Sequence, residues 1–253
     1  MTAVGIIPAR YASQRLPGKP LRKLCGKPLV QWVWEAACTA PSLQRVVIAT
    51  DHERIAATCR RFGAEVLLTP TELPSGTDRV AVAYQQLQLT ADIVVNLQAD
   101  EPLLQAAHIE ALLAALSAQP SWDAATLIEP LEKPHELSSP MVVKVVLRSD
   151  GSALYFSRSP IPFVRDVPLG KWLTQTRFWK HIGIYAYRAP VLQLFRHLSP
   201  TPLERAEGLE QLRLLEAGLR IGCVPVEGPL KGVDTPAQLA ALRKWLRRQG
   251  HRR

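Results

Sequence analysis

The chain lacks a glycine-rich phosphate loop. Its first apolar run, Ala3–Ile7, stops at Pro8, and only Gly5 and Gly18 occur nearby, so neither a GxGxxG nor a Walker pattern is present. An anion captured there has to be held by side chains rather than by a nest of backbone amides. Acidic residues are also missing before Glu35, although Arg10, Arg15, Lys19, Arg22, Lys23 and Lys27 all fall in that stretch. The chain has no apolar run near the ~20 residues of a membrane helix. The N-terminal apolar segment is too short for a signal peptide, and Arg10 and Arg15 follow it. A cytoplasmic protein with no membrane partner is therefore expected. Cys25, Cys38, Cys59 and Cys223 form no CxxC pair and have no histidine at metal spacing, so they read as free thiols, most of them buried. Cys25 lies among the cations, where a thiol's pKa can fall.

The charge that is present is concentrated. The net charge is +9. Six cations belong to the N-terminal loop, and six more (Arg243, Lys244, Arg247, Arg248, Arg252, Arg253) belong to a basic tail over about 243–253. The remainder is slightly acidic. A duplex binder presents a continuous basic face, so the charge distribution argues against nucleic acid as a partner. The tail reads as a solvated helix end whose cations complement the helix dipole.

Apolar runs and turn signals alternate. Strands are expected at Ala3–Ile7, Arg45–Thr50, Glu65–Leu68, Ile93–Leu97 and Ala124–Glu129. Helices are expected from Pro28 to about Thr39, from an Asp51 N-cap to just before Gly63, over Asp78–Leu87 with Thr77 or Ser75 as cap, and over Gln105–Leu116. This βαβ series predicts an α/β fold with a mostly parallel sheet and helices on both faces. The second half is more mixed. Asp150-Gly151 makes a hairpin of Val142–Leu147 and Ala153–Phe156. His181–Arg188 and Ile221–Val226 read as strands. Thr201-Pro202-Leu203-Glu204 is a capping box opening a helix to about Glu216, and Thr235-Pro236-Ala237-Gln238 opens the terminal helix. With no repeat or linker, residues 1–253 read as a single domain.

Three segments carry chemistry. The loop Pro8–Leu21 places cations beyond a buried strand's carboxyl end, where an α/β protein binds polyphosphate; the alternative is a solvated basic loop. Asn96-Leu97-Gln98-Ala99-Asp100-Glu101-Pro102 ends another buried strand in two carboxylates. Facing a basic loop, such carboxylates suit Mg²⁺ bridged to phosphate oxygens, although either could instead cap the next helix. In Gly232-Val233-Asp234-Thr235-Pro236, Thr235 already supplies the helix cap, which frees Asp234 to be a second metal ligand.

Together with ATDHERI, PSGTDR, VVKVVL, ALYFSRSPIPF, HIGIYAYR and PLERAEGLEQLR, these segments resemble the 3-deoxy-manno-octulosonate cytidylyltransferases, the CMP-KDO synthetases. The resemblance runs in order from Val4 to about Leu242. It implies a Rossmann-like nucleotidyltransferase fold, a homodimer, and transfer of CMP from CTP to KDO for lipopolysaccharide synthesis. It places phosphate-binding cations at Arg10, Arg15 and Lys19. The cytosine pocket falls at Pro8 and Ala9 with Ser75, Gly76 and Gln98, and the magnesium aspartates at Asp100 and Asp234. Sugar-acid contacts fall at Arg158, His181, Tyr185, Glu210 and Gln211.

The chemistry of those last residues agrees. Arg158 can clamp a carboxylate in a bidentate way, and Glu210 and Gln211 can exchange hydrogen bonds with sugar hydroxyls. Surface positions for Glu210 and Gln211, and a structural role for His181, are the alternatives. Rival functions are CMP transfer to 8-amino-KDO or sialic acid, a hexose-1-phosphate uridylyl- or guanylyltransferase, and a catalytically silent nucleotide-binding regulator. The chain departs from the family pattern in three places: Ala99 stands where glycine is usual, Asp78 where glutamate is common, and Ser139-Pro140-Met141 where Asn-Pro-Asn is usual. An alanine at a position needing positive φ would cost about 1 kcal/mol.

Overall fold

A computed structural model describes residues 1–13, 16–88, 90–228 and 230–249. In chain order the elements are β1 (Ala3–Ala9), β2 (Lys23–Leu24), β3 (Lys27–Pro28), α1 (Leu29–Cys38), β4 (Leu43–Thr50), α2 (Glu53–Arg61), β5 (Glu65–Leu68), α3 (Gly76–Gln86), β6 (Ile93–Asn96) and α4 (Ala106–Ala118). The second half continues with β7 (Ala124–Pro130), α5 (Pro134–Ser138), β8 (Lys144–Leu147), β9 (Ala153–Ser157), β10 (Trp179–Arg188), α6 (Ala189–Phe195), α7 (Pro202–Glu207), α8 (Gln211–Glu216), β11 (Ile221–Pro225) and α9 (Pro236–Arg248). Two compact units result: Met1–Glu110 with Gly228–Arg253, and Ala111–Glu227.

The first unit is built on four parallel strands in the order β6-β1-β4-β5. Every residue of β1 and β6 is buried, which is why both read as continuous apolar runs rather than alternating ones. From β1 the chain moves outward to β4 and β5, then returns to β1's other side as β6. The order therefore reverses beside β1. At such a switch point the loops leaving the two strands part and open a crevice at their carboxyl ends, the usual ligand position in an open α/β sheet. The loop after β1 and the segment 97–102 after β6 both leave from there. Leu16, Leu24, Leu29 and Val233 form a core cluster with the α9 residues Leu239, Leu242 and Leu246, which anchors the terminal helix in this unit.

The second unit has a mixed sheet. β11 runs parallel to β7, β10 runs antiparallel to β7, and the β8–β9 hairpin joins through β8 to β10. Gly151 has φ 81° at the hairpin turn, as the Asp-Gly pair requires. Ser152 N–H and Oγ–H both donate to Asp150 Oδ1.

Two local expectations are corrected. Asp51 does not cap α2; His52 does, its ring accepting from the Arg54 N–H. Asp51 is drawn instead to the buried Arg79 guanidinium at 3.1 Å and to the Tyr11 N–H at 2.9 Å. The helix expected from Thr201 to Glu216 breaks at Gly208, which adopts φ 62°. There the Arg158 side chain donates to the carbonyls of Glu207 and Gly208 and competes for oxygens a continuous helix would use. Both capping boxes form as expected. Of the cysteines, only Cys59 and Cys223 are buried, and burial pushes both thiols up to about 12.

Candidate active site

Pro8 and Ala9, the last residues of β1, are both buried at the switch point. Gly76 opens α3 against Pro8: a Cβ built on Gly76 would lie 3.6 Å from the proline ring. Ser75 caps α3, accepting from the Asp78 N–H at 3.0 Å and donating to Asp78 Oδ2 at 2.7 Å. Aspartate thus closes this turn without the longer glutamate. Gln98 reaches the same cluster, its amide donating to Asn96 Oδ1 at 3.2 Å while Asn96 donates to Thr77 at 3.4 Å. Pro8, Ala9, Ser75, Gly76 and Gln98 are therefore gathered at one end of the sheet.

The loop after β1 is pinned before it delivers a cation. The Tyr11 N–H is held by Asp51, its ring stacks on His52 at 4.0 Å, and its hydroxyl accepts from Arg54. Gly18, in the left-handed region at φ 63°, returns its N–H to the Tyr11 carbonyl at 3.2 Å. A side chain would strain that turn. The next residue, Lys19, starts a short 3-10 turn.

Lys19 then meets both expected aspartates. Its ammonium donates to Asp100 and, at 3.0 Å, to Asp234 Oδ1. Burial alone would lower its pKa, but the two carboxylates outweigh burial and hold it above its usual 10.5. Lys19 therefore stays protonated throughout the neutral range. Neither aspartate caps a helix. Thr235 and Gln238 form the cap of α9, leaving Asp234 to turn toward the lysine. Gly232 allows the close approach: a Cβ there would lie 2.7 Å from Glu101 Oε1. Ala99 is buried and has no positive φ, so a methyl group is accommodated where glycine is usual.

The remaining cations of the loop are placed differently. Arg10 is exposed, and Arg15 lies outside the described residues. Arg22 donates to the Pro17 carbonyl, and Lys27 pairs with Glu35 at 2.7 Å. The loop is therefore less uncompensated than its composition indicates.

The expected sugar-acid residues belong to the second unit. His181 and Tyr185 lie on β10 with ring centroids 5.3 Å apart, and Phe156 meets His181 edge-on. Burial lowers the His181 pKa from 6.5 to about 3, so the ring is neutral at physiological pH. Burial also lifts Tyr185 well above its usual value, assisted by Tyr187, Glu210 and Cys223. The Gln211 side-chain NH₂ is buried without a hydrogen-bond partner among the described residues, and the buried Tyr185 hydroxyl lies toward that of Thr126. A buried orphan donor is costly, so the Gln211 amide marks a position that a polar ligand would satisfy. Gln211 is the first residue of α8, placed there by the break at Gly208.

Arg158 is anchored by backbone. Its guanidinium donates to the carbonyls of Glu207, Pro140 and Gly208 at 2.6, 2.8 and 3.3 Å. A guanidinium has five N–H groups, so two are unused among the described residues and can serve an anion. Lys144 was not singled out from the sequence, yet its fully buried ammonium donates to the carbonyls of Ser139, Val142 and Arg158. Burial lowers its pKa to about 8, against the raising influence of Glu207. Glu207 in turn accepts from the Ser157 hydroxyl and the Arg158 N–H. The VVKVVL motif was visible, but nothing local in it shows that its lysine points inward.

The cytidylyltransferase family profile matches residues 4–221. The 3-deoxy-manno-octulosonate cytidylyltransferase of Syntrophobacter fumaroxidans is 50% identical over 245 residues, 96% of each chain. That of Pseudomonas syringae pv. syringae is 48% identical over 95% of this chain and 96% of its own. The solved structure of a CMP:2-keto-3-deoxy-manno-octonic acid synthetase complexed with CTP superposes with a TM-score of 0.90 at 41% identity, covering 98% of this chain and 100% of its own. The strand order, the gathered carboxylates and this near full-length likeness agree: the chain belongs to the 3-deoxy-manno-octulosonate cytidylyltransferase family, within an α/β nucleotidyltransferase fold.

Proposed function

We propose that this protein transfers CMP from CTP to 3-deoxy-D-manno-octulosonate (KDO), releasing pyrophosphate. The observation that carries the reading is the convergence of Asp100 and Asp234 on one ammonium, Lys19, beside the switch point of a parallel sheet. In the reaction, the anomeric C2 oxygen of KDO bonds to the α-phosphorus of CTP as the bond to the pyrophosphate oxygen breaks. Pro8, Ala9, Ser75, Gly76 and Gln98 hold the cytosine end in this reading. Arg10, Arg15 and Lys19 bind the phosphates and stabilise charge developing on the departing pyrophosphate. Holding both substrates in line converts the encounter into an effectively unimolecular step.

The donor set fits a magnesium ion. Two carboxylates already converge where a cation sits, here the Lys19 ammonium, and Mg²⁺ needs only one or two carboxylates when substrate phosphates complete its shell. Asp100 and Asp234 would hold it. When bound, magnesium supplies charge neutralisation at the α-phosphate and acidifies the attacking hydroxyl.

In the second unit, Arg158 is assigned to the sugar-acid carboxylate, and His181, Tyr185, Glu210 and Gln211 to its hydroxyls. The buried orphan donor on Gln211 supports that assignment. The two units are proposed to serve one nucleotidyltransferase domain, in a cytoplasmic homodimer that supplies lipopolysaccharide synthesis. No helix among the described residues is long and apolar enough to cross a membrane.

The test is a pyrophosphate-release assay crossing CTP, UTP and GTP with KDO and sialic acid, with and without Mg²⁺. Turnover is expected only with CTP, KDO and magnesium together. Product from UTP or GTP but not CTP would overturn the reading.

A further inference from the structure

β10 carries a two-residue bulge opposite Thr126. Ile182 pairs with Leu127, but the next pair is Tyr185 with Thr126, so Gly183 and Ile184 are looped out. Such a bulge frees carbonyls from the ladder and re-aims the side chains beside it. Thr126 is fully buried and gathers what the bulge frees: the carbonyls of Ile182 and Ile184 each lie 2.9 Å from its hydroxyl oxygen. On the same oxygen, at 3.0 Å, sits His181 Nε2.

A proton count settles the roles. A threonine hydroxyl has one hydrogen and two acceptor lone pairs. Both carbonyls are acceptors only, so the single hydrogen must serve them; the neighbouring Tyr185 hydroxyl has a hydrogen of its own and can donate to one lone pair. If it pointed at His181 instead, two carbonyl oxygens would face a hydroxyl oxygen with no hydrogen between them. His181 Nε2 therefore carries a proton and donates it to Thr126. A neutral ring then has a bare lone pair on Nδ1, and no hydrogen bond to that nitrogen is made among the described residues. Phe156 and Tyr185 pack against the ring with centroids at 5.1 and 5.3 Å.

We propose that Thr126 is a positioning residue that locks His181 in its Nε2–H tautomer, making Nδ1 an acceptor that selects a hydroxyl of the sugar acid and rejects its carboxylate. The second half of this rests on the sugar-acid reading above; the tautomer lock does not. The division of labour follows: the carboxylate goes to the free donors of Arg158, while His181 discriminates hydroxyl placement. A site built to accept from a hydroxyl discriminates against an analogue lacking it, because the acceptor is left unpaired.

The test uses full-length protein with ¹⁵N-labelled histidine, the His181 signals being assigned by their loss in His181→Gln. Long-range ¹H–¹⁵N spectra of the wild type are expected to show a protonated Nε2 and a bare Nδ1. Adding KDO should move the Nδ1 signal and leave the ring neutral. An Nδ1–H tautomer in the free protein, or an imidazolium in either state, overturns the proposal. Thr126→Val is expected to give mixed tautomers and to raise KM for KDO about tenfold, the worth of one well-placed hydrogen bond, with KM for CTP unchanged. Thr126→Ser, which keeps the hydroxyl, is expected to reverse both effects. A folded Thr126→Val with an unchanged tautomer would also overturn the lock. Wild-type protein that shows the Nε2–H tautomer but never turns over KDO would overturn the substrate reading and leave the lock standing.

Discussion

The backbone N–H of Val233 donates to the carbonyl of Asp100 at 2.9 Å. One hydrogen bond thus joins two segments 133 residues apart and brings the carboxylates of Asp100 and Asp234 to a common point. The bond is between backbone groups, so it survives replacement of either side chain. Asp100→Ala or Asp234→Ala is therefore expected to cut kcat by about 10²–10³-fold or more, the range for losing a preorganised charge-stabilising group. Melting temperature should move little, because Lys19 keeps one carboxylate in either variant. Steady-state kinetics beside thermal denaturation checks both parts. Near wild-type turnover would remove the carboxylates from the mechanism.

Asp51 and Arg79 form a buried ion pair that holds the phosphate loop in place through Tyr11. Arg79 is further satisfied by Thr69 and the Pro70 carbonyl. Removing one partner leaves an uncompensated buried charge, which costs about 3–5 kcal/mol. Asp51→Ala should lose stability on that scale in urea unfolding. It should also raise KM for CTP, since the loop bearing Lys19 loses its tether. A loss below about 1 kcal/mol, within the range of exposed pairs, would show that water reaches the guanidinium.

Asp51 also shows where sequence stops being legible. An aspartate before a helix reads as a cap because capping is a local pattern. Thr201 and Thr235 behave that way because their partners lie three residues on. Asp51's preferred partner lies 28 residues away, and only the folded sheet brings it near. The break at Gly208 has the same origin, since the competing donor is Arg158, 50 residues distant. The strand-end carboxylates, by contrast, were readable. Buried parallel strands are near-continuous apolar runs, so the polar residue that ends one is conspicuous. Thr126 was not readable, because its role depends on a bulge in the strand opposite.

Gly222 in β11 lies under the ring of Trp122, and a Cβ there would sit 1.8 Å from the indole. Both are in the second unit. The ring is buried, and Arg188 donates to the Trp122 carbonyl, so the tryptophan has little room to withdraw. Gly222→Ala should destabilise by the upper end of the about 1–3 kcal/mol typical of overpacking, or more. Gly63→Ala and Gly26→Ala are useful comparisons, because nothing lies within 4 Å of a Cβ at either site. Their cost should come only from positive φ. Equal melting temperatures for Gly222→Ala and wild type would mean that the indole does not occupy this position.

His181 gives the stability a pH dependence of defined sign. Its pKa is about 3 when folded, from 6.5, because burial disfavours the imidazolium. Between those values the unfolded chain binds the extra proton and the folded chain does not, so stability falls as pH drops through that window. Above pH 6.5 the residue contributes no pH dependence. At pH 5 the penalty is about 2 kcal/mol, from roughly 1.4 kcal/mol per unit over the 1.5 units below 6.5. His181→Gln can still donate to Thr126 but cannot titrate. Unfolding both proteins in urea at pH 7.5 and pH 5.0 isolates the effect. The stability difference between them should shift toward the variant by about 2 kcal/mol on acidification. A difference that stays constant would mean that folded His181 takes up its proton at the ordinary pKa. The neutral acceptor at Nδ1 would then be lost in mild acid.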